Sequence, residues 1–115
     1  MPRIAFDKIA KEILGNGYEL SLVLIGDTLM HRLNSEYRNK NYPTNVLSFP
    51  IDTKEGEIFI NVRKAEREAK ALSIPKKERI AYLFTHGCLH LKGLEHGKKM
   101  DVLEEQFMKK IQRYL

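Results

Sequence analysis

The sequence has little cysteine, no tryptophan and no long apolar segment. Cys88 is the single cysteine among 115 residues, so no disulfide can form within the chain, which fits a reducing compartment. No apolar run approaches the ~18 residues that a membrane-spanning helix needs. The first residues, 1–7, lack the apolar segment of a secretory signal. We therefore expect a cytoplasmic protein without a membrane segment.

Charge and length set broad limits on the protein. Lys and Arg number 20 against 15 Asp and Glu, which gives a net charge of +5 and a pI near 9.4. That balance favours a polyanionic partner, but only mildly, because many basic proteins bind none. The hydrophobic share of 43% and charged share of 30% are ordinary for a globular protein, and 115 residues predict one domain spanning 1–115.

Three of the four histidines occur close together, at His86, His90 and His96. Apolar residues before them recur at helical spacing, which predicts that the first two lie on a helix. Residues four apart share one face of a helix, so both imidazoles can bind one ion. Gly93 stands where a helix-terminating glycine would turn the chain back and bring His96 to the same ion. Three histidines with a fourth position open are typical of a catalytic zinc site.

The same spacing occurs in the zinc-protease pattern H-E-x-x-H-x-x-G-x-x-H, with one difference. The position after the first histidine is Gly87, so the glutamate that serves as general base in those proteases is missing. This difference argues against peptide hydrolysis by their route. The alternative without function is a buried helix that happens to carry histidines. The fourth histidine, His31, is remote in sequence and is interpreted as an ordinary surface or core residue.

Apolar periodicity and turn residues predict five helices and three strands. Asp27 is predicted to cap a helix that turns Leu29, Met30, Leu33 and Tyr37 inward. The first strand is predicted to be buried, and the other two to pair antiparallel across a loop at 52–56. Pro50 has no N–H to donate to a sheet, so the second strand ends there or lies at a sheet edge. The predicted helices cover 5–14, a segment from Asp27, 63–72, a mostly buried segment from Pro75 through the histidines, and 99–114; the predicted strands cover 20–25, 46–51 and 57–62.

Three motifs resemble those of the YbeY family. The stretch H-G-C-L-H-L-K-G-L-E-H, residues 86–96, closely resembles the family signature H-G-x-L-H-L-x-G-(Y or F)-D-H. The stretch N-S-E-Y-R-N-K-N-Y-P-T-N-V-L-S-F-P, residues 34–50, resembles a second block, and 57–60 resembles the G-D-I strand. Order and spacing agree over roughly residues 18–110. Leu94 and Glu95 depart from the aromatic residue and the aspartate of the signature without removing a histidine.

The resemblance implies an α+β, zincin-like fold, with helices packed on a small mixed sheet and a metal in a cleft beside an edge strand. It also implies a bacterial, cytoplasmic endoribonuclease that uses zinc, one ion per chain. Family members act on ribosomal RNA, notably at the 3′ end of the small-subunit RNA, and in ribosome quality control. His86, His90 and His96 carry over as metal ligands, and Arg38 as the functional arginine of the cleft.

The leading hypothesis is metal-assisted cleavage of single-stranded RNA, with the ribosome or ribosomal proteins as further partners. Arg38 would hold the phosphate, although an arginine in a polar loop can also be a simple surface residue. Lys40, Lys92, Lys98 and Lys99 flank the proposed site in sequence and could guide RNA by charge or could serve solubility alone. Glu95 is expected to face away from the metal, so no general base is assigned. The alternatives are a zinc hydrolase of a peptide or small substrate, and a non-catalytic ribosome assembly factor that zinc stabilises.

Overall fold

The computed structural model describes residues 4–39 and 44–115, which form helices at both ends of the chain and three strands between residues 19 and 61. Residues 40–43, with Lys40 and the predicted turn at Pro43, lie outside the described residues. The elements in chain order are α1 (Phe6–Leu14), β1 (Glu19–Ile25), α2 (Asp27–Arg38), β2 (Val46–Asp52), β3 (Glu55–Asn61), α3 (Val62–Leu72), α4 (Lys76–Leu91), α5 (Lys98–Lys110) and a short 3₁₀ turn (Ile111–Tyr114).

The three strands form a mixed sheet in the order β1-β3-β2. β1 runs parallel to β3, with Leu22 opposite Ile58. β2 pairs antiparallel with β3, with Leu47 opposite Phe59, as the sequence predicted. The expectation of a fully buried first strand is wrong, because β1 is an edge strand with exposed residues along it. β2 forms the other edge, as Pro50 indicated.

The hairpin between β2 and β3 is tighter than the predicted loop over 52–56. The strands end and begin at Asp52 and Glu55, so only Thr53 and Lys54 separate them. The Asp52 carboxylate accepts a hydrogen bond from the Thr53 backbone N–H at 2.7 Å. A short polar side chain that bonds the adjacent backbone in this way allows the chain to reverse within two residues.

α4 is the central helix, and the other helices and the sheet pack around it. Its apolar positions occur nearly all round, which is the pattern of a helix buried on most sides. One face packs on the sheet, and Gly87 lies at this contact. The buried residues of α4 are Ile80, Ala81, Leu83, Phe84, Thr85, Gly87, Cys88 and Leu89.

α2 begins differently from the prediction. Gly26 occupies the cap position, and Asp27 is the first helical residue. The Asp27 carboxylate instead accepts hydrogen bonds from the side chains of Asn61 and Arg67, at 2.9–3.0 Å. These contacts join the start of α2 to the junction of β3 and α3.

The inner face of α2 is also narrower than predicted. Met30 is fully buried and Asn34 is 3% exposed. Leu29 and Tyr37, which were expected to point inward, are 40% and 65% exposed. Met30 forms a cluster with Ile25 and Leu47 of the sheet, and Leu33 packs against this cluster.

The architecture is therefore α+β, with helices packed on a small mixed sheet, as predicted. Within residues 4–39 and 44–115, none of the helices has both the length and the apolar character that a bilayer span requires.

Candidate metal centre

His86 and His90 lie one helical turn apart near the C-terminal end of α4. Their ring centroids are 4.6 Å apart, and their Nε2 atoms are 3.0 Å apart. The i, i+4 spacing accounts for this contact, since both side chains leave the same face of the helix.

Gly93 ends α4 with a left-handed turn, as predicted. Its φ is +103°, a conformation that side chains disfavour. The backbone N–H of Gly93 donates to the His90 carbonyl at 2.9 Å, and that of Leu94 donates to the Leu89 carbonyl at 3.1 Å. This pair of bonds is the Schellman pattern of helix ends. The chain then reverses direction and approaches the face of α4 that carries the two histidines.

The reversal brings His96 to the other two histidines. Its ring centroid lies 4.8 Å from those of His86 and His90. One ligand atom from each ring lies within 4.8 Å of the other two, so the three could hold one metal ion. His86 and His90 are partly buried, whereas His96 is exposed. His31, on α2, is exposed and belongs to a different part of the fold.

Hydrogen bonds on the far side of two rings determine which nitrogen faces the cluster. His86 Nδ1 lies 2.5 Å from Glu104 Oε1, and His90 Nδ1 lies 3.0 Å from the Leu94 carbonyl oxygen. A carboxylate and a carbonyl accept hydrogen bonds, so each Nδ1 carries a proton, and in the neutral ring each Nε2 presents a lone pair. Two lone pairs at 3.0 Å repel each other unless they share a cation.

The donor set therefore fits a divalent metal. Burial, then the neighbouring imidazoles of His86 and His96, lower the pKa of His90 and favour the neutral ring that a metal binds. Imidazole nitrogens are common ligands of zinc and also suit nickel and copper. Three protein ligands leave a coordination position open, as catalytic zinc sites do.

A cleft of about 620 Å³ opens beside the histidines, within the range of about 300–1,000 Å³ typical of ligand sites. Its walls come from the end of α2, the start of edge strand β2, and the end of α4 with the loop that follows. The residues that line it include Asn34, Arg38, Thr44, Asn45, Val46, Ser48, His86, His90, Glu95 and His96. The structure thus brings Arg38, remote in sequence, into the same cleft as the three histidines.

The other charged residues named from the sequence have different surroundings. Lys40 is outside the described residues. Lys92 Nζ donates to the Ile13 carbonyl oxygen at 3.1 Å, which directs it toward the end of α1. Lys98 and Lys99 are exposed at the start of α5. Glu95 was expected to face away, but it is exposed and lines the cleft.

Gly87 lies where α4 comes closest to the sheet. A Cβ at this position would lie 3.0 Å from Ser48 Oγ and 3.1 Å from Ile58 Cδ1. The Ser48 hydroxyl, on the edge strand, donates to the Gly87 carbonyl at 3.0 Å. A larger residue here would meet β2 and β3. The close packing of α4 on the sheet therefore leaves little room for a glutamate at the position where the zinc proteases carry theirs.

Glu104 is the residue of the site that sequence reasoning missed. It lies on α5 and is only 4% exposed. The available signal was its position: it follows Met100 by four residues and precedes Ile111 by seven, so it shares the inward face of an amphipathic helix. A carboxylate on an apolar face needs a buried partner, and His86 provides it.

Comparison with known proteins relates the whole chain to one family. Residues 3–115 match the family model described as Endoribonuclease YbeY. The chain is 32% identical to Endoribonuclease YbeY of Persephonella marina over 124 residues, with 96% of this chain and 81% of that relative covered. It is 38% identical to Endoribonuclease YbeY of Phytoplasma mali over 100 residues, with 80% and 68% covered.

A solved structure shows the same fold. The solution structure of a Thermotoga maritima protein matches with a TM-score of 0.70 at 22% sequence identity. The match covers 92% of this chain and 78% of that one.

Proposed function

The chain belongs to the YbeY endoribonuclease family, and on that premise we propose that it cuts single-stranded RNA with zinc bound by His86, His90 and His96. The proposed substrate is ribosomal RNA, notably the 3′ end of the small-subunit RNA, with a role in ribosome quality control. The observation that carries the proposal is the convergence of three imidazoles in a cleft that also contains Arg38.

Zinc, when bound, supplies Lewis acidity toward water and toward phosphate oxygens. The protein's contribution is to orient two of the three imidazoles, since His86 Nδ1 contacts Glu104 and His90 Nδ1 contacts the Leu94 carbonyl, which leaves their Nε2 atoms for the metal. Burial in the cleft wall keeps His90 in the neutral state that this role needs.

Arg38 is proposed to hold the scissile phosphate. Its guanidinium presents paired N–H donors that match two phosphate oxygens, and its charge offsets the negative charge that develops in the transition state. Lys40, close by in sequence, is proposed to assist binding by charge. The net charge of +5 over the whole chain also favours a polyanion.

Glu95 is the candidate for accepting the proton of the attacking group. Among the described residues that line the cleft, it is the one carboxylate. We expect Glu95→Gln to retain zinc and to slow cleavage by about 10²–10⁴-fold, the usual contribution of a general base. Unchanged cleavage would remove Glu95 from this role.

The test of the proposed function is cleavage of an end-labelled single-stranded RNA by zinc-loaded protein. Wild type and His90→Ala are purified identically, and circular dichroism establishes that both fold. We expect wild type to cut the single strand, to leave a duplex of the same sequence intact, and to lose activity in His90→Ala. Equal cleavage by both identically purified proteins would show that the activity does not depend on His90 and would contradict the proposal.

Two alternatives are tested by separate assays of the same proteins. A protein that degrades casein but leaves RNA intact would be a zinc peptidase, which the packing of Gly87 against the sheet disfavours. If cells that carry wild type or His90→Ala process ribosomal RNA equally well, the chain acts as an assembly factor without catalysis.

A further inference from the structure

Glu104 lies on α5 and contacts His86, a histidine of the cluster on α4. It extends from α5 toward α4, and its side chain is 6% exposed, against 13% for that of His86. Glu104 Oε1 lies 2.5 Å from His86 Nδ1. Such short contacts are typical of hydrogen bonds in which one partner is charged.

The carboxylate has a second partner on α4. Tyr82, one turn before His86, donates its hydroxyl to Glu104; burial, and then this hydrogen bond, raise the pKa of Tyr82 to about 12. Tyr82 therefore stays protonated and remains a donor. The guanidinium of Arg79 lies 4.7 Å from the centroid of the Tyr82 ring and is itself held by Glu68 at 2.9 Å. Glu104 is thus fixed by groups on one face of α4.

We propose that Glu104 is a positioning residue. It holds His86 in the tautomer that directs the Nε2 lone pair at the metal, and it makes that nitrogen a stronger metal ligand. The inference rests on the proposed metal site. A carboxylate behind a metal-binding imidazole draws on the Nδ1 proton, which places more electron density on Nε2. The affinity of the site for zinc then depends on a residue from a helix that contributes no ligand of its own.

The Nδ1 partner of His86 differs in charge from that of His90. His90 Nδ1 bonds a backbone carbonyl, that of Leu94, which carries no full charge. His96 is exposed. Among the described residues, His86 is the one histidine of the three with a carboxylate partner. Packing α5 on α4 would be served as well by an apolar residue at position 104, since a buried carboxylate costs free energy unless it is paired.

The test measures zinc affinity of the metal-free full chain by competition with a chromophoric chelator. Glu104→Gln keeps the shape and an acceptor oxygen but removes the charge, and Glu104→Ala removes both. Glu105→Gln is the matched control, because Glu105 is the next residue of α5 and its side chain is 73% exposed. We expect the two Glu104 variants to bind zinc about 10–100-fold more weakly, Ala more than Gln, and the control to match wild type.

A second measurement separates positioning from simple support of the fold. The visible spectrum of the cobalt-substituted protein reports the ligand field, and urea unfolding of the metal-free chain reports stability. We expect Glu104→Gln to shift the cobalt bands while its metal-free stability stays close to that of wild type. If zinc affinity and cobalt spectrum of Glu104→Gln equal those of the control, the inference is wrong.

The failures of the two proposals are distinguishable. A wild type that binds no zinc would overturn both the metal site and the role of Glu104. A wild type that binds zinc but leaves RNA intact would overturn the proposed activity alone, while the zinc affinities of the Glu104 variants would still decide the inference.

Discussion

The imidazole of His90 donates from Nδ1 to the backbone carbonyl of Leu94 at 3.0 Å. The N–H of the same Leu94 donates back to Leu89 in the helix, at 3.1 Å. One turn of backbone therefore both terminates α4 and orients a histidine of the cluster. The conformation of Gly93 makes this turn possible, because its φ of +103° carries little strain only in glycine.

Replacing Gly93 should weaken both the fold and the metal site. A side chain at a φ of +103° is strained, so we expect Gly93→Ala to lower the free energy of unfolding by about 1–3 kcal/mol. Zinc affinity should fall as well, because the turn positions His90 and His96. Gly15→Ala is the matched control, since Gly15 also has a positive φ, +84°, with nothing within 4 Å of an added Cβ. Gly15→Ala should lose stability but keep the zinc affinity of wild type. Equal zinc affinities of Gly93→Ala and Gly15→Ala would contradict the role of Gly93 in the metal site.

Packing of α4 on the sheet gives a second prediction. In Gly87→Ala the new methyl would lie 3.0–3.2 Å from Ser48 and Ile58. Alanine favours the helix by up to about 1 kcal/mol, but overpacking costs about 1–3 kcal/mol, so a net destabilisation is expected in chemical denaturation. Ile58→Val removes the Cδ1 atom in this contact. The double variant should therefore be more stable than the sum of the two single changes predicts, and strict additivity would argue against the clash.

Arg38 should affect catalysis without affecting metal content. We expect Arg38→Ala to retain one zinc per chain and to cut single-stranded RNA about 10²–10³-fold more slowly, the usual loss when one transition-state donor is removed. Arg38→Lys should recover only part of the rate, because an ammonium cannot bind two phosphate oxygens as a planar fork. Arg32→Ala, an exposed residue of the same helix, is the control. Full activity in Arg38→Ala would exclude the proposed role.

The start of α2 predicts a dependence of stability on pH. Hydrogen bonds from Arg67 and then Asn61 lower the pKa of Asp27 from 3.8 to about 2. Because the folded-state pKa is the lower one, the carboxylate stabilises the fold above pH 3.8, and this contribution is lost as the pH falls toward 2. The difference in free energy of unfolding between wild type and Asp27→Asn should shrink over that window. A difference that stays constant between pH 5 and pH 2 would contradict this assignment.

The parts of the molecule that depend on local pattern could be predicted from the sequence. α4 has apolar residues at helical spacing and a glycine at its end, so both its extent and the convergence of the three rings followed from the spacing. The antiparallel pairing of β2 with β3 was predictable because few residues separate the two strands.

Features set by long-range contacts were missed. β1 pairs parallel with β3, which lies more than 30 residues further along the sequence. The composition of β1 does not show that it forms an edge of the sheet in the described residues. Asp27 resembles a helix cap, but its partners Asn61 and Arg67 are far along the chain. Glu104 was overlooked for the same reason: only the folded structure places α5 against His86.

The central claim is that His86, His90 and His96 together bind one zinc ion, and zinc content per chain tests it most directly. Plasma emission spectrometry of purified protein should give close to one zinc per chain for wild type. The His31→Ala control, which removes the exposed histidine of α2, should match it. Alanine at 86, 90 or 96 should reduce the content well below one in a chain that remains folded. Unchanged zinc in any of these three variants would contradict the claim.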